Sequence, residues 1–337
     1  MRILQRAFAV GLVILHPSAF ILGSAAALAL APSCSGASAQ TYPSRPVRIV
    51  VPFSPGSATD ITARMIAPRL SGRWGQPVVI ENRAGAGGTL AAASVAKATP
   101  DGHTLLLVSA AFAIGAVLNK SLPYDTLKDF TGVAQIGTTS GLLAVTPSLG
   151  VKSVGELIAV ARERPGKIFY GSAGAGSGIH MTAERFKFAA AISTVHVGFK
   201  GQPEMLIEII AGRIHYGFPS LGPGLPFVRD GRLLALAVVT AKRTPLLPDV
   251  PVLAEVLPGF ERDASHALIA PAGTPRPVLS QISRDVARVL ELPEVKQQME
   301  AMAFEPAPST PEEYDRILRG LIQTFTRVAK EAGLTPK

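Results

Sequence analysis

The sequence contains a single cysteine, Cys34, in 337 residues, and it lacks the short motifs that mark common enzyme classes. One cysteine excludes an intramolecular disulfide and a metal site built from several cysteines. Neither the G-x-S-x-G motif of serine hydrolases nor the H-E-x-x-H motif of metalloproteases occurs, and the histidines after residue 40 are not spaced as metal ligands. We therefore predict that the protein is not an enzyme and holds no cofactor and no metal.

The charge of the chain is positive but dispersed. The formal net charge is +9, yet no run of five basic residues and no alternation of basic with aromatic residues occurs. Nucleic-acid-binding proteins show such patterns, so we expect no nucleic-acid partner. A dispersed positive charge still attracts anionic ligands through the overall field of the protein.

The first forty residues predict export. Arg2 and Arg6 precede a long apolar stretch over 7–31, no acidic residue occurs before Asp60, and Ala37-Ser38-Ala39 provides the small-x-small pattern that signal peptidase requires. We predict a signal peptide over residues 1–39. Cleavage there leaves 298 of the 337 residues, removes Cys34 and lowers the formal charge to +7.

Two alternatives for this segment stay open. The apolar stretch is long enough to serve as a membrane anchor, although Pro17, Pro32 and the cleavage pattern argue against one. Cys34 follows the apolar stretch as it would in a lipoprotein. The preceding residues, Ala31-Pro32-Ser33, lack the branched apolar residue and small neighbour expected of a lipidation site.

After residue 40, short apolar runs alternate with amphipathic segments. The predicted strands span 47–53, 77–80, 104–108, 133–136, 142–145, 168–170, 194–197, 214–218, 233–239 and 268–269. The predicted helices span 60–70, 89–98, 153–164, 180–190, 202–211, 277–290 and 311–330, with Ser153 and Thr310 as N-caps. This alternation predicts an α/β fold of parallel sheets with helices on both faces and a ligand at the carboxyl ends of the strands.

The length of the chain favours two domains. About 300 residues of 47% apolar composition can bury more than one core. No long linker or low-complexity segment separates the halves after residue 40, so we expect strands that cross between the domains to form the boundary.

The segment 53–60, Phe-Ser-Pro-Gly-Ser-Ala-Thr-Asp, lies between a predicted strand and a predicted helix. A strand that breaks at Pro-Gly and restarts as a helix leaves free backbone N–H groups and the positive end of a helix dipole at the turn. Such a turn is an anion-binding site for a carboxylate. The same design recurs at 82–88 and at 171–178, so the pattern indicates a protein that binds small anions.

The glycine-rich loops do not fit a nucleotide site. The loop 171–178 lacks the Lys-Ser/Thr pair of a P-loop and has Ile179 where the G-x-G-x-x-G motif needs its last glycine; the loop 85–88 fails in the same way at Leu90. Glycine lets the backbone approach a ligand closely, although both loops could also be simple tight turns. His180, two residues after the second loop, could touch a ligand.

Many segments of the chain resemble one family. They include Tyr-Pro-Ser-Arg-Pro-Val-Arg-Ile-Val-Val-Pro-Phe at 42–53, Gly-Gln-Pro-Val-Val-Ile-Glu-Asn-Arg at 75–83, Leu-Pro-Tyr-Asp at 122–125, Leu-Pro-Asp-Val-Pro at 247–251 and Ala-Pro-Ala-Gly-Thr-Pro at 270–275. Together with shorter matches, they cover nearly the whole mature chain in the order typical of the extracytoplasmic solute receptors of tripartite tricarboxylate transporters, the Bug-type binding proteins. The chain resembles this family.

The resemblance implies a two-lobed, periplasmic-binding-protein-like (Venus flytrap) fold, each lobe a sheet flanked by helices. The expected lobes are 41–140 with 262–337, and 141–261. The resemblance further implies a monomeric periplasmic receptor that binds a small carboxylate, such as a di- or tricarboxylate, between its lobes and delivers it to membrane permease subunits. The ligand residues that we expect are Ser57, Ala58, Thr59 and Asp60 from one lobe and Ser172, Gly174, Ala175, Gly176, Ser177 and His180 from the other.

The chain departs from the family pattern at further positions that we expect around the ligand. Phe199-Lys200 stands where a tyrosine usually precedes the lysine, and Phe218-Pro219-Ser220 stands where an aspartate usually follows the strand near Tyr216. His266-Ala267 replaces an aromatic pair that is common in the family. A lost acid and a gained histidine favour a more negative or bulkier ligand. An alternative function keeps the same ligand class but presents it to a two-component sensor.

Overall fold

The computed structural model describes residues 42–240, 242–258, 260 and 265–331. The predicted signal peptide, Cys34 and the predicted boundary at 261–262 lie outside these residues. The strands are β1 Val47–Val51, β2 Val78–Asn82, β3 Thr104–Val108, β4 Phe130–Thr139, β5 Gly141–Val145, β6 Phe169–Ser172, β7 Val195–Gly198, β8 Tyr216–Gly217, β9 Leu234–Val239, β10 Ser265–Pro271 and β11 Phe304–Pro306. The helices are α1 Ala58–Trp74, α2 Thr89–Ala96, α3 Ala110–Leu118, α4 Val154–Glu163, α5 Gly178–Ala190, α6 Gln202–Ile210, α7 Leu221–Arg229, α8 Arg276–Leu290, α9 Pro293–Ala301 and α10 Pro311–Glu331.

The strands form two separate sheets. The first has the order β11-β4-β10-β3-β1-β2 and the second the order β7-β6-β8-β5-β9. The chain passes from the first sheet to the second between Thr139 and Gly141 and returns between Val239 and Ser265. The expected lobes, 41–140 with 262–337 and 141–261, stay a prediction.

The expectation of parallel sheets is wrong, because both sheets are mixed. β1 is parallel to β2 and β3, and β6 is parallel to β7 and β8. In contrast, β10 is antiparallel to β3 and β4, β11 is antiparallel to β4, and β5 is antiparallel to β8 and β9. The first strand after each crossing between the sheets, β5 and then β10, is antiparallel to both of its neighbours. Local alternation of strands and helices carries no information about that direction.

Each sheet is covered by helices on both faces. In β1, Val47, Ile49 and Val51 pack with residues of α1, α8 and α9, whereas Val50 packs on the other face with residues of α2, α3 and α10. This alternation follows from the two-residue period of a strand. A third core surrounds the second sheet, with Tyr170 among its fully buried residues.

Two predicted helix caps are confirmed. Ser153 Oγ accepts a hydrogen bond from the Glu156 N–H at 3.1 Å. Thr310 forms a reciprocal capping box, in which its Oγ1 accepts from the Glu313 N–H and its own N–H donates to the Glu313 carboxylate. No helix in the described ranges combines the length and the apolar character needed to cross a bilayer.

Candidate ligand-binding site

The loop between β1 and α1 ends at Ser57, which caps the helix. The Asp60 N–H donates to Ser57 Oγ at 3.3 Å, and the Asp60 carboxylate accepts from the Gly56 N–H at 2.9 Å. The first amides of a helix have no partner inside the helix. Those of Ala58 and Thr59 have no partner elsewhere among the described residues either. The loop therefore offers two free N–H donors at a helix start.

The loop between β6 and α5 repeats this arrangement on the second sheet. The His180 N–H donates to Ser177 Oγ at 3.2 Å, and the Gly176 N–H lies 3.4 Å from His180 Nδ1. The amides of Gly178 and Ile179 again lack a partner within the described part of the chain. Both loops thus present the same pair of donors.

These two loops line one cavity. Its volume is about 50 Å³, which suits a small ligand or a few ordered waters. The lining residues are Phe53, Ser57, Ala58, Thr59, Ser109, Ala110, Ala173, Ser177, Gly178, Ile179, Gln202, Ser220 and His266. These include the cap or the first residue of five helices, α1, α3, α5, α6 and α7. Both sheets belong to the compact unit that begins at Tyr42, so the cavity lies between them inside one unit.

The electrostatics of the cavity come from backbone groups. No Asp, Glu, Lys or Arg stands among the described residues that line it. Each helix start carries a partial positive charge of about half an elementary charge, because the peptide dipoles add along the helix. Five such ends around one small space favour an anion. The arrangement can bind an organic acid without a basic side chain.

Among the described residues of the lining, His266 alone has an ionisable side chain, and it is buried. Its Nδ1 lies 2.9 Å from Thr62 Oγ1, and the Thr62 hydroxyl donates to the Ala58 carbonyl at 2.9 Å. A hydroxyl has one hydrogen, so the Nδ1 of His266 must be the donor toward Thr62. The histidine on β10 is therefore joined to the first turn of α1.

Gln202 holds the start of α7 in place on the opposite wall. The Ser220 N–H donates to Gln202 Oε1 at 3.0 Å, and Gln202 Nε2 donates to the Ser220 carbonyl at 3.3 Å. Both polar atoms of the Gln202 amide thus have a partner, although the side chain lies at the cavity surface. Its role in the free protein is to position the Ser220 backbone.

The structure brings together only part of the predicted site. The predicted residues that line the cavity are Ser57, Ala58, Thr59, Ser177, Ser220 and His266. A second, more open hollow of about 560 Å³ is lined by the predicted residues Gly174, Ala175, Phe199 and Lys200, together with Gly85, Ala86, His196, Gly198 and Glu204. The predicted residues that line neither space are Asp60, Ser172, Gly176 and His180.

Asp60 and Ser172 pair with residues beside their loops. The Asp60 carboxylate accepts from Arg64 at 2.8 Å and from Asn82 at 2.9 Å. Burial alone would raise the pKa of Asp60, but the hydrogen bonds from Arg64, Gly56 and Asn82 hold this pKa below its ordinary value. Ser172 Oγ lies 2.6 Å from His196 Nε2.

His180 belongs to a polar cluster behind the second loop. Its ring lies 4.3 Å from that of His196 and stacks at 6.4 Å on Tyr170. The Tyr170 hydroxyl and Lys187 both donate to Glu184. Burial tends to raise the pKa of Glu184, but these two hydrogen bonds outweigh it and lower the pKa. The cluster stabilises the base of the loop.

Seven residues that line the cavity are absent from the predicted ligand residues. They are Ser109 and Ala110 at the start of α3, Gln202 at the start of α6, and Phe53, Ala173, Gly178 and Ile179. Ser109 directly follows the predicted strand 104–108, and a serine after a strand is a usable cap signal. No group of three or more His, Cys, Asp or Glu residues able to hold a metal ion occurs in the part of the chain that is described.

The comparisons with known proteins agree with this geometry. The model of the family described as "Tripartite tricarboxylate transporter family receptor" matches residues 62–334. The chain is 33% identical to Protein BugT of Bordetella pertussis over 299 residues, which cover 88% of this chain and 92% of that protein.

Two solved structures are similar over most of the chain. The R. palustris protein Rpa4515, solved with adipate, has a TM-score of 0.85 and 36% identity and covers 88% of this chain and 100% of its own. MatC from Rhodopseudomonas palustris, solved with bound malate, has a TM-score of 0.81 and 30% identity and covers 85% of this chain and 99% of its own. The predicted periplasmic-binding-protein-like α/β fold is confirmed. The chain belongs to the family of tripartite tricarboxylate transporter receptors, as the resemblance in its sequence predicts.

Proposed function

We propose that this protein binds a small carboxylate in the cavity between its sheets, through backbone amides at helix N-termini, and delivers it to the permease of a tripartite tricarboxylate transporter. The family is a receptor family, and relatives are known with adipate and with malate. We further propose that the protein acts in the periplasm as a monomer, after removal of residues 1–39, and catalyses no reaction.

One observation supports this function above the others. Free amides of Ala58 and Thr59 approach the cavity from the first sheet, and free amides of Gly178 and Ile179 approach it from the second. Hydrogen bonds from amides to a carboxylate are charge-assisted and stronger than neutral ones. A dicarboxylate has one anionic group for each of these two pairs of donors, so the ligand would join the two sheets.

The predicted site residues then take different roles. We propose that Ser57, Ala58, Thr59, Ser177, Ser220 and His266 contact the ligand, because they line the cavity. We propose that Asp60, Ser172, Gly176 and His180 support the two loops. Gly174, Ala175, Phe199 and Lys200 would meet the ligand as it passes the open hollow. The two lobes would close around the ligand, so that contacts made only in the closed state stabilise closure.

The first experiment identifies the ligand. A thermal-shift screen of mono-, di- and tricarboxylates that includes adipate and malate should raise the melting temperature with at least one dicarboxylate, since a ligand that binds only the folded state stabilises it by mass action. Isothermal titration calorimetry then gives the Kd, and NMR of the recovered acid should show that it is unchanged. A screen in which no carboxylate stabilises the protein contradicts the proposed ligand class.

The second experiment tests the backbone amides directly. Proline is well tolerated at the first position of a helix, where it removes one N–H group, and Ser177 has φ and ψ of −70° and 158°, which suit a residue before proline. Gly178→Pro should therefore fold and weaken binding of the acid found in the screen by about tenfold or more, the loss of a hydrogen bond to a charged group.

Gly178→Ala is the matched control. It also adds a Cβ, which would have no described atom within 4 Å, but it keeps the N–H. We expect Gly178→Ala to bind like the wild type. Equal affinities for the proline and alanine variants would show that this amide does not hold the ligand.

A further inference from the structure

A hydrogen bond joins the two sides of the cleft next to the cavity. Ser54, in the loop after β1, donates through Oγ to Glu204 Oε1 at 2.6 Å across 150 residues of sequence. Glu204 lies in the first turn of α6, on the second sheet. Ser54 is buried at this contact. The bond can form only when the Ser54 loop and the first turn of α6 are in contact, so it belongs to an arrangement in which the two sides of the cleft meet.

Gly201, the residue that precedes α6, lies so close to Ser54 that it has no room for a side chain. A Cβ on Gly201 would lie 2.9 Å from Ser54 Oγ and 3.1 Å from the Ser54 backbone nitrogen. The φ of Gly201 is −168°, an extended value that any residue adopts. Its glycine is therefore required by the approach of the Ser54 loop and not by its own conformation.

A second contact of the same kind lies between the two glycine loops. A Cβ on Gly87 would lie 2.4 Å from the Ala175 carbonyl oxygen and 3.3 Å from the Ser177 nitrogen. The loop 85–88, in which the sequence suggests an anion site, thus packs backbone to backbone against the loop that carries Ser177. Glycine at 87 lets the loop from the first sheet reach the ligand loop of the second.

The hydrogen bond carries a cost that only the closed arrangement imposes. Glu204 Oε2 is buried and has no hydrogen-bond partner among the described residues. A carboxylate oxygen that loses water without gaining a donor opposes burial. The gain at Oε1 is partly offset at Oε2, so the contact favours closure without making it permanent.

We propose that Ser54 and Glu204 form a latch that stabilises the closed state of the receptor, and that Gly201 is the position whose missing side chain lets the latch engage. The proposal rests on the proposed function, because closure serves to hold a ligand. Ser54 and Glu204 act here as positioning residues: neither lines the cavity.

The test measures the distance between the sheets directly. The chain that begins at residue 40 has no cysteine, so Lys97→Cys beside α2 and Glu163→Cys at the end of α4, both exposed, allow two nitroxide labels to be attached. Pulsed electron paramagnetic resonance then gives the closed and open populations, first without any organic acid and then with saturating adipate.

We expect Ser54→Ala to lower the ratio of closed to open molecules by about tenfold, the effect of removing a hydrogen bond to a charged group. Glu204→Ala should lower the ratio of closed to open molecules less, because it also removes the unpartnered carboxylate oxygen. In the double variant, this ratio should be no lower than in Ser54→Ala alone. Gly201→Ala should lose the short distance, whereas Gly72→Ala, whose Cβ would meet no described atom within 4 Å, should not.

Wild-type distance distributions for Ser54→Ala and Gly201→Ala in both conditions would overturn the latch. So would a wild-type protein that shows only the long distance in both conditions. Melting curves establish whether each variant is folded. If Gly201→Ala does not fold, the distance distribution of Ser54→Ala alone tests the latch. Failure of adipate to bind concerns the proposed function, while the distribution without acid tests the latch separately.

Discussion

Ser57 and Ser177 cap helices on different sheets with nearly identical backbone conformations. Their φ and ψ are −68° and 159° for Ser57 and −70° and 158° for Ser177. The likeness extends one turn further, because Thr62 and Thr182 each donate to the carbonyl of the first helical residue at 2.9 and 2.8 Å. The two sheets thus present the same local structure to the cavity from two sides.

This equivalence predicts similar effects of removing either cap. Ser57→Ala and Ser177→Ala should each lower the free energy of unfolding by about 1 kcal/mol, because one helix amide loses its partner. Each should also weaken binding of a dicarboxylate. Ser153→Ala removes the same kind of cap from α4 and is the control: urea denaturation should show a similar loss, and calorimetry an unchanged Kd. A cavity-side variant with wild-type affinity would contradict the shared role.

Asp60 should contribute to stability in a pH-dependent manner. Its folded-state pKa lies below the unfolded value, so its contribution is complete above about pH 4 and is lost as the pH falls through the folded pKa. Asp60→Asn should lower the free energy of unfolding by about 2 kcal/mol at pH 7 and by less at pH 3. Urea titrations at both pH values measure this, with exposed Glu163→Gln as the control. A loss of equal size at both would contradict the assignment.

Gln202→Glu should weaken anion binding more than it weakens the fold. The new carboxylate keeps the acceptor for the Ser220 N–H, loses the donor to the Ser220 carbonyl and adds a negative charge at the cavity wall. We expect the Kd for a dicarboxylate to rise at least about tenfold, since two like charges in a poorly hydrated space repel strongly. Gln202→Ala separates the charge from the lost hydrogen bonds. Equal Kd values for the two variants would exclude a charge effect.

The hydrogen bond between Thr62 and His266 fixes the tautomer of the neutral imidazole. Because Thr62 donates to the Ala58 carbonyl, neutral His266 should carry its hydrogen on Nδ1. Nitrogen-15 NMR of labelled protein distinguishes the two tautomers. Thr62→Val removes the acceptor and should allow the hydrogen to move to Nε2. A hydrogen on Nε2 in the wild type would show that the Thr62 hydroxyl donates to the ring instead.

Local signals were sufficient where a strand turns directly into a polar-capped helix. Ser57 and Ser177 both follow glycine after a strand, and both helices begin two residues before their predicted starts at 60 and 180. α3 was missed because its sequence, AAFAIGAVL, is apolar on every side and shows no helical period. α7 was missed because LGPGLPFVR contains two glycines and two prolines, which usually indicate a loop.

The order and direction of strands that are distant in sequence could not be predicted from local sequence patterns. No local feature of residues 265–271 indicates that β10 lies between β3 and β4 or that it is antiparallel to both. The same holds for Gln202. Its role depends on the Ser220 backbone, 18 residues later in the chain, and only the assembled second sheet brings the two residues together.

The position of β10 also sets the order in which the molecule can be completed. The first sheet has β4, β3, β1 and β2 available once residue 139 has been synthesised, but β3 and β4 have no contact as neighbours until residues 265–271 fill the gap between them. Such pairing between distant segments makes folding slow. The N-terminal half of the first sheet must therefore stay incomplete until most of the chain has been synthesised.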